Sequence, residues 1–171
     1  GLAILFGNLA PDGAVVKVSA ASPNLLQHRG RAVVFNSMAE VREKLLGAED
    51  VSPDDVLVLR HVGPKGTGMP EYGMLPLPTR LLENGIRDMV RVTDARMSGG
   101  HFGTIVLHVA PEAAVGGPLA AVETGDTIEL DVKHRKIDVK LTDSQIEKRL
   151  RDWKPPQPRY KRGYMRLFTC L

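Results

Sequence analysis

Residues 93–101, TDARMSGGH, form a glycine-rich stretch between two apolar runs, with a serine near its centre. A serine acts as a base or nucleophile only when its hydroxyl proton is removed or its alkoxide is stabilised. Gly99 and Gly100 follow Ser98, and glycines let successive backbone N–H groups point into one concavity that favours negative charge. Arg96 can add positive charge or bind a substrate carboxylate. These residue types predict a site at which Ser98 acts on an anionic substrate.

Two other interpretations of this stretch involve Asp94. In the first, the stretch is a tight turn between strands, closed by a salt bridge from Asp94 to Arg96. In the second, Asp94 and a nearby histidine activate the serine as a catalytic triad. We reject the triad because the sequence lacks the Gly-x-Ser-x-Gly pattern around Ser98. His108 lies in an apolar run, so we expect it to be a hydrogen-bonded core residue. The turn remains open as the alternative to a site.

A second glycine-rich stretch, GPKGTGMPEYG at 63–73, follows an apolar run and carries four glycines. Glycines allow the backbone to approach a ligand closely. The stretch lacks the Gly-Lys-Ser/Thr ending of a P-loop, and its spacing does not match the dinucleotide-binding pattern. Lys65 suits a carboxylate or phosphate, and Glu71 suits a hard cation such as magnesium. The alternative is an ordinary surface loop.

The composition is that of one globular domain with its own core. The chain has 171 residues, of which 43% are hydrophobic and 25% charged. Part of its net charge of +3 comes from a basic tail, but that tail lacks a repeated basic and aromatic pattern, so we expect no nucleic-acid partner. No apolar run reaches the roughly 20 residues that cross a bilayer, and no signal peptide is recognisable. We therefore expect a cytoplasmic protein without a membrane partner.

The single cysteine, Cys170, excludes an internal disulfide and a metal site made only of cysteines. The strand-like run from Leu2 begins without an initiator methionine, and the apolar pattern of 162–171 has no stop signal. These features predict that the chain is a fragment of a longer protein.

Short runs typical of β-strands recur along the chain and are separated by Gly, Pro and Asp. The nine predicted strands are residues 2–7, 14–19, 31–36, 56–62, 88–94, 104–109, 119–123, 127–132 and 136–141. The last two alternate polar and apolar residues around a short turn, which predicts an antiparallel hairpin with one exposed face.

Fewer segments have helical patterns, namely residues 37–47, 79–85 and 142–153. The first and last begin with the capping-box spacing, Ser37 with Glu40 and Thr142 with Gln145. The sequence KPPQP at 154–158 predicts a linker to the basic tail. Many strands with few helices predict a mainly β fold, a β-barrel or β-sandwich flanked by helices.

Several motifs, taken in order, make the sequence resemble the dihydroxy-acid dehydratase and phosphogluconate dehydratase family. They are NLAPDGAVVK at 8–17, GPKGTGMPE at 63–71, RVTDARMSGG at 91–100 and HVAPEAAVGGPLA at 108–120. The resemblance continues through GDTIELDV, LTDSQIEKRLRDW and RGYMRLF, so it covers nearly the whole chain. TDARMSG and LHVAPEAA are most similar to the branch that acts on sugar acids, the aldonates.

The resemblance implies an enzyme that eliminates water from a 2,3-dihydroxy acid to give a 2-keto acid. It implies Ser98 as the base that removes the C2 proton, Glu71 as a magnesium ligand, and an iron–sulfur cluster together with magnesium as cofactors. Around the serine we expect substrate contacts from Lys65, Arg96, Gly99, Gly100 and His101. A branched-chain dihydroxy-acid dehydratase is the alternative within the family. A non-catalytic barrel that binds an anionic ligand is the alternative from another class.

The resemblance also implies that this chain is the C-terminal domain of a longer polypeptide. Residues 1–153 resemble the family's C-terminal barrel, which is similar to the swivelling domain of aconitase-type enzymes, and 154–171 would be a linker and truncated basic tail. In the family, the cluster cysteines belong to an N-terminal domain. We therefore expect that domain of the same polypeptide as the partner, in a full-length homo-oligomer, and we expect the isolated fragment to be inactive.

Overall fold

The computed structural model describes residues 1–68, 75–98, 102–157 and 160–169. Within these residues eight strands form a closed barrel: β1 Leu2–Gly7, β2 Ala10–Lys17, β3 Gln27–Phe35, β4 Val56–Leu59, β5 Arg91–Thr93, β6 Ile105–Ala110, β7 Thr127–Asp131 and β8 Lys136–Val139. Their order around the barrel is β1-β2-β6-β5-β4-β3-β7-β8. The predicted barrel is therefore confirmed.

One of the predicted strands, residues 119–123, is wrong. The chain forms instead a single 3-10 turn, Pro118–Ala121, which follows Gly117. Proline suits the first position of such a turn because its φ is already set near the helical value. Leu119 and Ala121 are buried by packing, so the apolar character of the run reflects burial rather than strand pairing.

Four neighbouring strands, β3 to β6, run parallel to one another. Every residue of β4 is buried, as is typical of a parallel strand that is covered on both faces. Val58 packs in one hydrophobic cluster with Val16 and Ile128, whereas Leu57 packs in a second cluster with Val41 and Leu81. Because parallel strands end at the same edge, the segments after β3 to β6 leave the barrel on one side.

Helices occupy several of the connections: α1 Met38–Glu40, which continues as a π-helical turn Val41–Leu45, α2 Pro64–Thr67, α3 Thr79–Glu83, α4 Asp143–Arg151 and α5 Tyr164–Thr169. The predicted helices are confirmed at α1, α3 and α4. The capping box of α4 forms completely between Thr142 and Gln145. At α1, the Ser37 hydroxyl accepts the Glu40 N–H, while the Glu40 carboxylate accepts the N–H of Asn36. Among the described residues no helix is long and apolar enough to cross a membrane.

The barrel closes between β1 and β8 through a side chain. The two strands pair directly at Phe6 and Lys136. Beyond that pair, the Asn8 side-chain amide takes the place of a strand backbone: Nδ2 donates to Val139 O and Oδ1 accepts Val139 N–H, each over 2.8 Å. The backbone N–H of Asn8 donates to Asp138 Oδ1 over the same distance. The NLAPDG motif therefore has a structural role at the seam of the barrel.

The chain after α4 returns to the barrel surface near α2. Trp153 packs against the backbone of Gly116, and α5 packs against α2. Gly68, which ends α2 with a φ of 80°, leaves no room for a side chain because a Cβ there would press on Met165. The basic tail thus includes a helix that contacts α2. The assignment of 154–171 as a unit separate from the barrel stays a prediction.

Candidate active site

Three segments follow the carboxyl ends of β4, β5 and β6: residues 60–68, 94–98 and 111–117. We call them together the loop edge. Gly13 of β2 pairs with Ala110 at the end of β6, so the NLAPDG motif lies beside them. In parallel sheets and barrels, ligands bind outside the carboxyl ends of the strands, where loops from several strands converge. The loop edge has this arrangement.

Asp94 joins all three segments of the loop edge. The residue is 1% exposed. Its carboxylate accepts hydrogen bonds from the backbone N–H groups of His61 and Val62, each over 3.1 Å, and of Ala113 over 2.9 Å. Among the described residues these backbone groups supply every hydrogen bond that the carboxylate accepts. Asp94 therefore ties loops together, rather than closing a turn with Arg96.

The backbone at His61 is shaped to present its N–H group to Asp94. His61 adopts a φ of 63°, in the left-handed region that non-glycine residues seldom occupy. Consecutive N–H groups can then point at one anion. Burial, with the nearby charge of Arg60, lowers the pKa of His61 to about 4, so its imidazole is neutral at pH 7. Its Nδ1 is buried and finds no hydrogen-bond partner among the described residues.

Glu112 also connects segments of the loop edge by hydrogen bonds. Its carboxylate accepts the backbone N–H of Lys65 over 2.9 Å and that of Gly66 over 3.1 Å, both in α2. Gly63 lies between Asp94 and Glu112, where a Cβ would overlap Glu112 Oε2 and Asp94 O. Glycine is needed there because the backbone passes directly between two carboxyl-bearing residues.

Both carboxyl groups are harder to ionise than usual. Burial raises the pKa of Asp94 from 3.8 to about 6, although the hydrogen bonds from Val62 and Ala113 oppose the rise. The neighbouring charge of Glu112 raises it further. Burial also raises the pKa of Glu112, against the hydrogen bonds from Lys65 and Gly66. The loop edge therefore contains a buried acid, Asp94, and a half-buried acid, Glu112, whose negative charge raises the pKa of Asp94.

The structure places three of the predicted site residues at the loop edge. Ser98 is exposed and follows the buried Met97, four residues after Asp94. Arg96 is half-buried in the same segment, and Lys65 is half-buried in α2. The other predicted site residues, Glu71, Gly99, Gly100 and His101, lie outside the described residues.

The prediction that His108 is a core residue is wrong. The residue is exposed, and its φ is 53°. Its backbone N–H donates to Ala95 O over 3.2 Å, which joins β6 to the segment that carries Arg96. Partial desolvation and the positive charge of Arg96 lower the pKa of His108. The apolar run around it does not reveal this, because an irregular backbone turns the side chain out of the strand's alternation.

Residues 1–171 match the family model described as the C-terminal region of dihydroxy-acid/6-phosphogluconate dehydratases. The chain belongs to this family. The motifs that carried the resemblance therefore lie in one domain, and three of them meet at the loop edge.

Similar proteins include sugar-acid and dihydroxy-acid dehydratases. The L-arabonate dehydratase of Azospirillum brasilense is 54% identical over 91% of this chain and 27% of its own length. The L-arabinonate dehydratase of Rhizobium leguminosarum bv. trifolii is 49% identical over 96% of the chain and 29% of its own length. A dihydroxy-acid dehydratase of Caldanaerobacter subterraneus is 48% identical over 99% of the chain and 30% of its own length. The chain thus spans about 30% of the length of these curated relatives.

The donor groups of this chain bear on the cofactors that the resemblance implies. An iron–sulfur cluster is held mainly by cysteine thiolates, and the chain has only Cys170. The residues present therefore do not fit a cluster. Among the described residues, no group of three or more His, Cys, Asp or Glu side chains is placed to hold a metal ion. The described residues therefore do not present a complete ligand set for either cofactor.

Sequence reasoning missed two residues of this dehydratase domain that hold the loops. Glu112 was part of a quoted motif but was not assigned a role. Arg91 lies in the predicted strand 88–94 and was not assigned a role either. For Arg91 a signal exists in the sequence: it is a charged residue in a run that the apolar pattern predicts to be a strand, and buried charges are rarely found without partners. Glu112 lies between two predicted strands, where the apolar pattern gives no such signal.

Proposed function

We propose that the full-length protein is a hydro-lyase that dehydrates a sugar acid to a 2-keto-3-deoxy acid, with this chain as its C-terminal domain. The observation that carries the proposal is that Asp94 and Glu112 each accept hydrogen bonds from backbone N–H groups of other loop-edge segments. They bring three family motifs, far apart in sequence, to one edge of the barrel, and Ser98 is exposed there.

In this proposal Ser98 is the base. Its oxygen takes the proton from C2, and the electron pair of the broken C2–H bond forms the C2–C3 double bond. The 3-hydroxyl leaves as water once it has gained a proton, and the enol product rearranges to the 2-keto acid. A serine alkoxide needs stabilisation, which the charge of Arg96 and the backbone N–H groups of Gly99 and Gly100 supply in this proposal.

The remaining predicted residues take binding roles. Lys65 pairs with the negative charge of the acid, and His101 contacts a sugar hydroxyl. Glu71 provides one carboxylate ligand to a magnesium ion. The described residues provide no full ligand set for a metal ion, and one cysteine provides none for a cluster. In this proposal an N-terminal domain of the same polypeptide supplies the missing ligands, and the full-length protein assembles as a homo-oligomer in the cytoplasm.

The test is a substrate screen of the full-length protein with its metal content measured in the same preparation. Aldonates such as arabinonate and xylonate form one panel, and branched-chain 2,3-dihydroxy acids form the other. We expect 2-keto acid formation from at least one aldonate at a rate proportional to protein. Turnover restricted to the branched-chain panel would replace the sugar-acid substrate with that of amino-acid biosynthesis. No keto acid from either panel, with the metal loaded, would leave a non-catalytic anion-binding barrel as the better account.

A further inference from the structure

Arg91 is a buried charge in a strand whose neighbours are apolar. It begins β5, and its side chain is 7% exposed. Burying a guanidinium is unfavourable unless its N–H groups are satisfied and its charge is paired. The hydrogen-bond partners of the Arg91 guanidinium therefore indicate why this position of β5 holds a charged residue rather than an apolar one.

The Arg91 guanidinium binds two carbonyl oxygens from separate segments. Nη1 donates to Leu75 O over 3.1 Å, and Nη2 donates to Phe102 O over 2.9 Å. Leu75 is the first described residue after Glu71, and Phe102 is the first after Ser98. The Arg91 guanidinium thus joins Leu75, which follows the segment with the proposed metal ligand, to Phe102, which follows the segment after the proposed base. We call Leu75 and Phe102 the returning ends.

Asp88 holds this guanidinium in place. Its carboxylate lies 3.1 Å from Nη2 and also accepts the N–H and hydroxyl of Thr104 and the N–H of Ser22. Burial opposes ionisation, but the bonds from Thr104 and Ser22 hold the pKa of Asp88 below its usual value, so it stays charged beside Arg91. A side chain at Gly103 would overlap both partners of the ion pair. The return from the second segment is therefore packed tightly around Arg91.

The chain that leads into the first segment is held by a different residue, Asp94. Asp94, the residue after β5, binds the N–H groups of His61 and Val62, which precede the first segment. Arg91 lies three residues earlier on the same strand. A short stretch centred on β5 therefore contacts the chain that leads into the first segment and the chain that returns from both segments.

We propose that Arg91 is a positioning residue for the dehydration: its two N–H groups fix the spacing of the returning ends, and so the relative placement of the segments that carry Glu71 and Ser98. The expected effect on dehydration rests on the proposed function, whereas the hydrogen bonds from Arg91 to Leu75 and Phe102 do not. Lysine cannot substitute, because a single ammonium lacks the two spaced, coplanar donors that hold both carbonyls in this geometry.

The main test uses R91K in the full-length protein, with R149K as the matched control. Arg149 also bridges an aspartate, Asp126, and a backbone carbonyl, that of Ala121, but contacts neither returning end. We expect R91K to lower kcat by about 10–100-fold, since small misplacements of reacting groups cost this much, while KM changes little. R149K should keep the wild-type kcat.

The second measurement is amide hydrogen exchange of the same full-length variants, which needs no substrate. We expect R91K to speed exchange in the peptides that begin at Leu75 and at Phe102 together, with strands β3 and β4 unchanged. Unchanged exchange in either peptide, or a kcat loss no larger than that of R149K, overturns the proposal. If wild-type protein dehydrates no acid, the proposed function fails, and exchange alone decides whether Arg91 couples the two ends.

A second variant covers the case in which R91K does not fold. Asp88 accepts a hydrogen bond from Thr104, two residues after Phe102. Among the described contacts, Asp88 is linked to Leu75 only through Arg91. We therefore expect D88N to speed exchange in the Leu75 peptide as well as in the Phe102 peptide. Faster exchange confined to the Phe102 peptide would show that Arg91 does not transmit the constraint, and would overturn the proposal.

Discussion

The loop edge and the β7–β8 hairpin use charged residues in opposite ways. At the loop edge, Asp94 and Glu112 are withdrawn from water and accept hydrogen bonds from backbone N–H groups of other segments. On the hairpin face, Glu129 pairs with Lys140 over 2.7 Å and with Arg29 over 3.5 Å, and the two basic side chains are 52% and 68% exposed. The first region has buried and half-buried acids bound to backbone N–H groups, and the second has exposed ion pairs between side chains.

The difference separates residues that set geometry from residues that cover a surface. Exposed ion pairs contribute little because water screens them and the long side chains lose freedom. A buried carboxylate that accepts several backbone N–H groups fixes where those backbones lie, and its removal leaves the donors unsatisfied. The loop edge therefore depends on particular side chains, whereas the hairpin depends mainly on its strand pairing.

The largest expected effect comes from separating the barrel from the rest of the protein. We expect residues 1–171 alone to unfold in one cooperative transition, because the barrel closes on itself around its own hydrophobic clusters. The same preparation should form no 2-keto acid, because it has one cysteine for an iron–sulfur cluster and its described residues hold no complete metal-ligand set. Circular dichroism during thermal unfolding and a keto-acid assay check both parts. Turnover by this chain alone would contradict the shared site.

The next effect concerns Ser98 in the full-length enzyme. We expect S98A to lower kcat by about 10²–10⁴-fold, the usual loss for a general base, or on the order of 3–5 kcal/mol in barrier height. KM should change little because other groups bind the substrate in the proposed mechanism, and the unfolding temperature should change little because Ser98 is an exposed residue. Steady-state kinetics and solvent deuterium exchange at C2 provide the measurement.

The control for S98A is T142A, which removes a hydroxyl from the cap of α4, away from the loop edge. This variant should lose some stability and keep its kcat. Wild-type deuterium exchange at C2 in S98A, with intact metal content, would exclude Ser98 as the base and make His101 the next candidate.

The two regions also differ in how far the sequence predicts them. The hairpin follows from alternating polar and apolar residues in 127–141, and the α4 cap follows from Thr142 and Gln145, because such signals are local. The hydrogen bonds at the loop edge join residues far apart in sequence: Asp94 and Ala113 are 19 positions apart, and Glu112 and Lys65 are 47 positions apart. No local pattern specifies which backbone N–H group a carboxylate will meet, so motif resemblance located the segments while the structure supplied their contacts.

A smaller effect should appear in the pH dependence of stability of residues 1–171. Because the folded pKa of Asp94 lies near 6, above its usual 3.8, the folded chain holds this proton more tightly than the unfolded chain. The contribution is full below about pH 4 and is lost as the pH rises through about 6. The stability difference between wild type and D94N should therefore be larger at pH 4 than at pH 7, by about 3 kcal/mol at most. Urea unfolding at both values measures it, and a pH-independent difference would contradict the buried acid.

At the seam of the barrel, N8A should cost about 2 kcal/mol of unfolding free energy. The variant leaves the N–H and carbonyl of Val139 without the side-chain partners that close β1 against β8. N8D is the matched comparison, since its carboxylate keeps an acceptor for the Val139 N–H but offers no donor to the carbonyl. We expect N8D to fall between wild type and N8A in urea unfolding. Equal stability of all three would mean that the direct strand pair suffices for closure.

The smallest effect is expected on the hairpin face, and it sets the scale for the others. K140M removes the charge that faces Glu129 but keeps the aliphatic part of the side chain over the strand. Because Lys140 is 52% exposed and Glu129 retains Arg29 as a second partner, the loss should be below about 1 kcal/mol. High salt should reduce even this difference, since salt screens exposed pairs. Urea unfolding at low and high salt tests both statements. A loss as large as that of N8A, insensitive to salt, would mean that the hairpin, like the loop edge, relies on its charges for geometry.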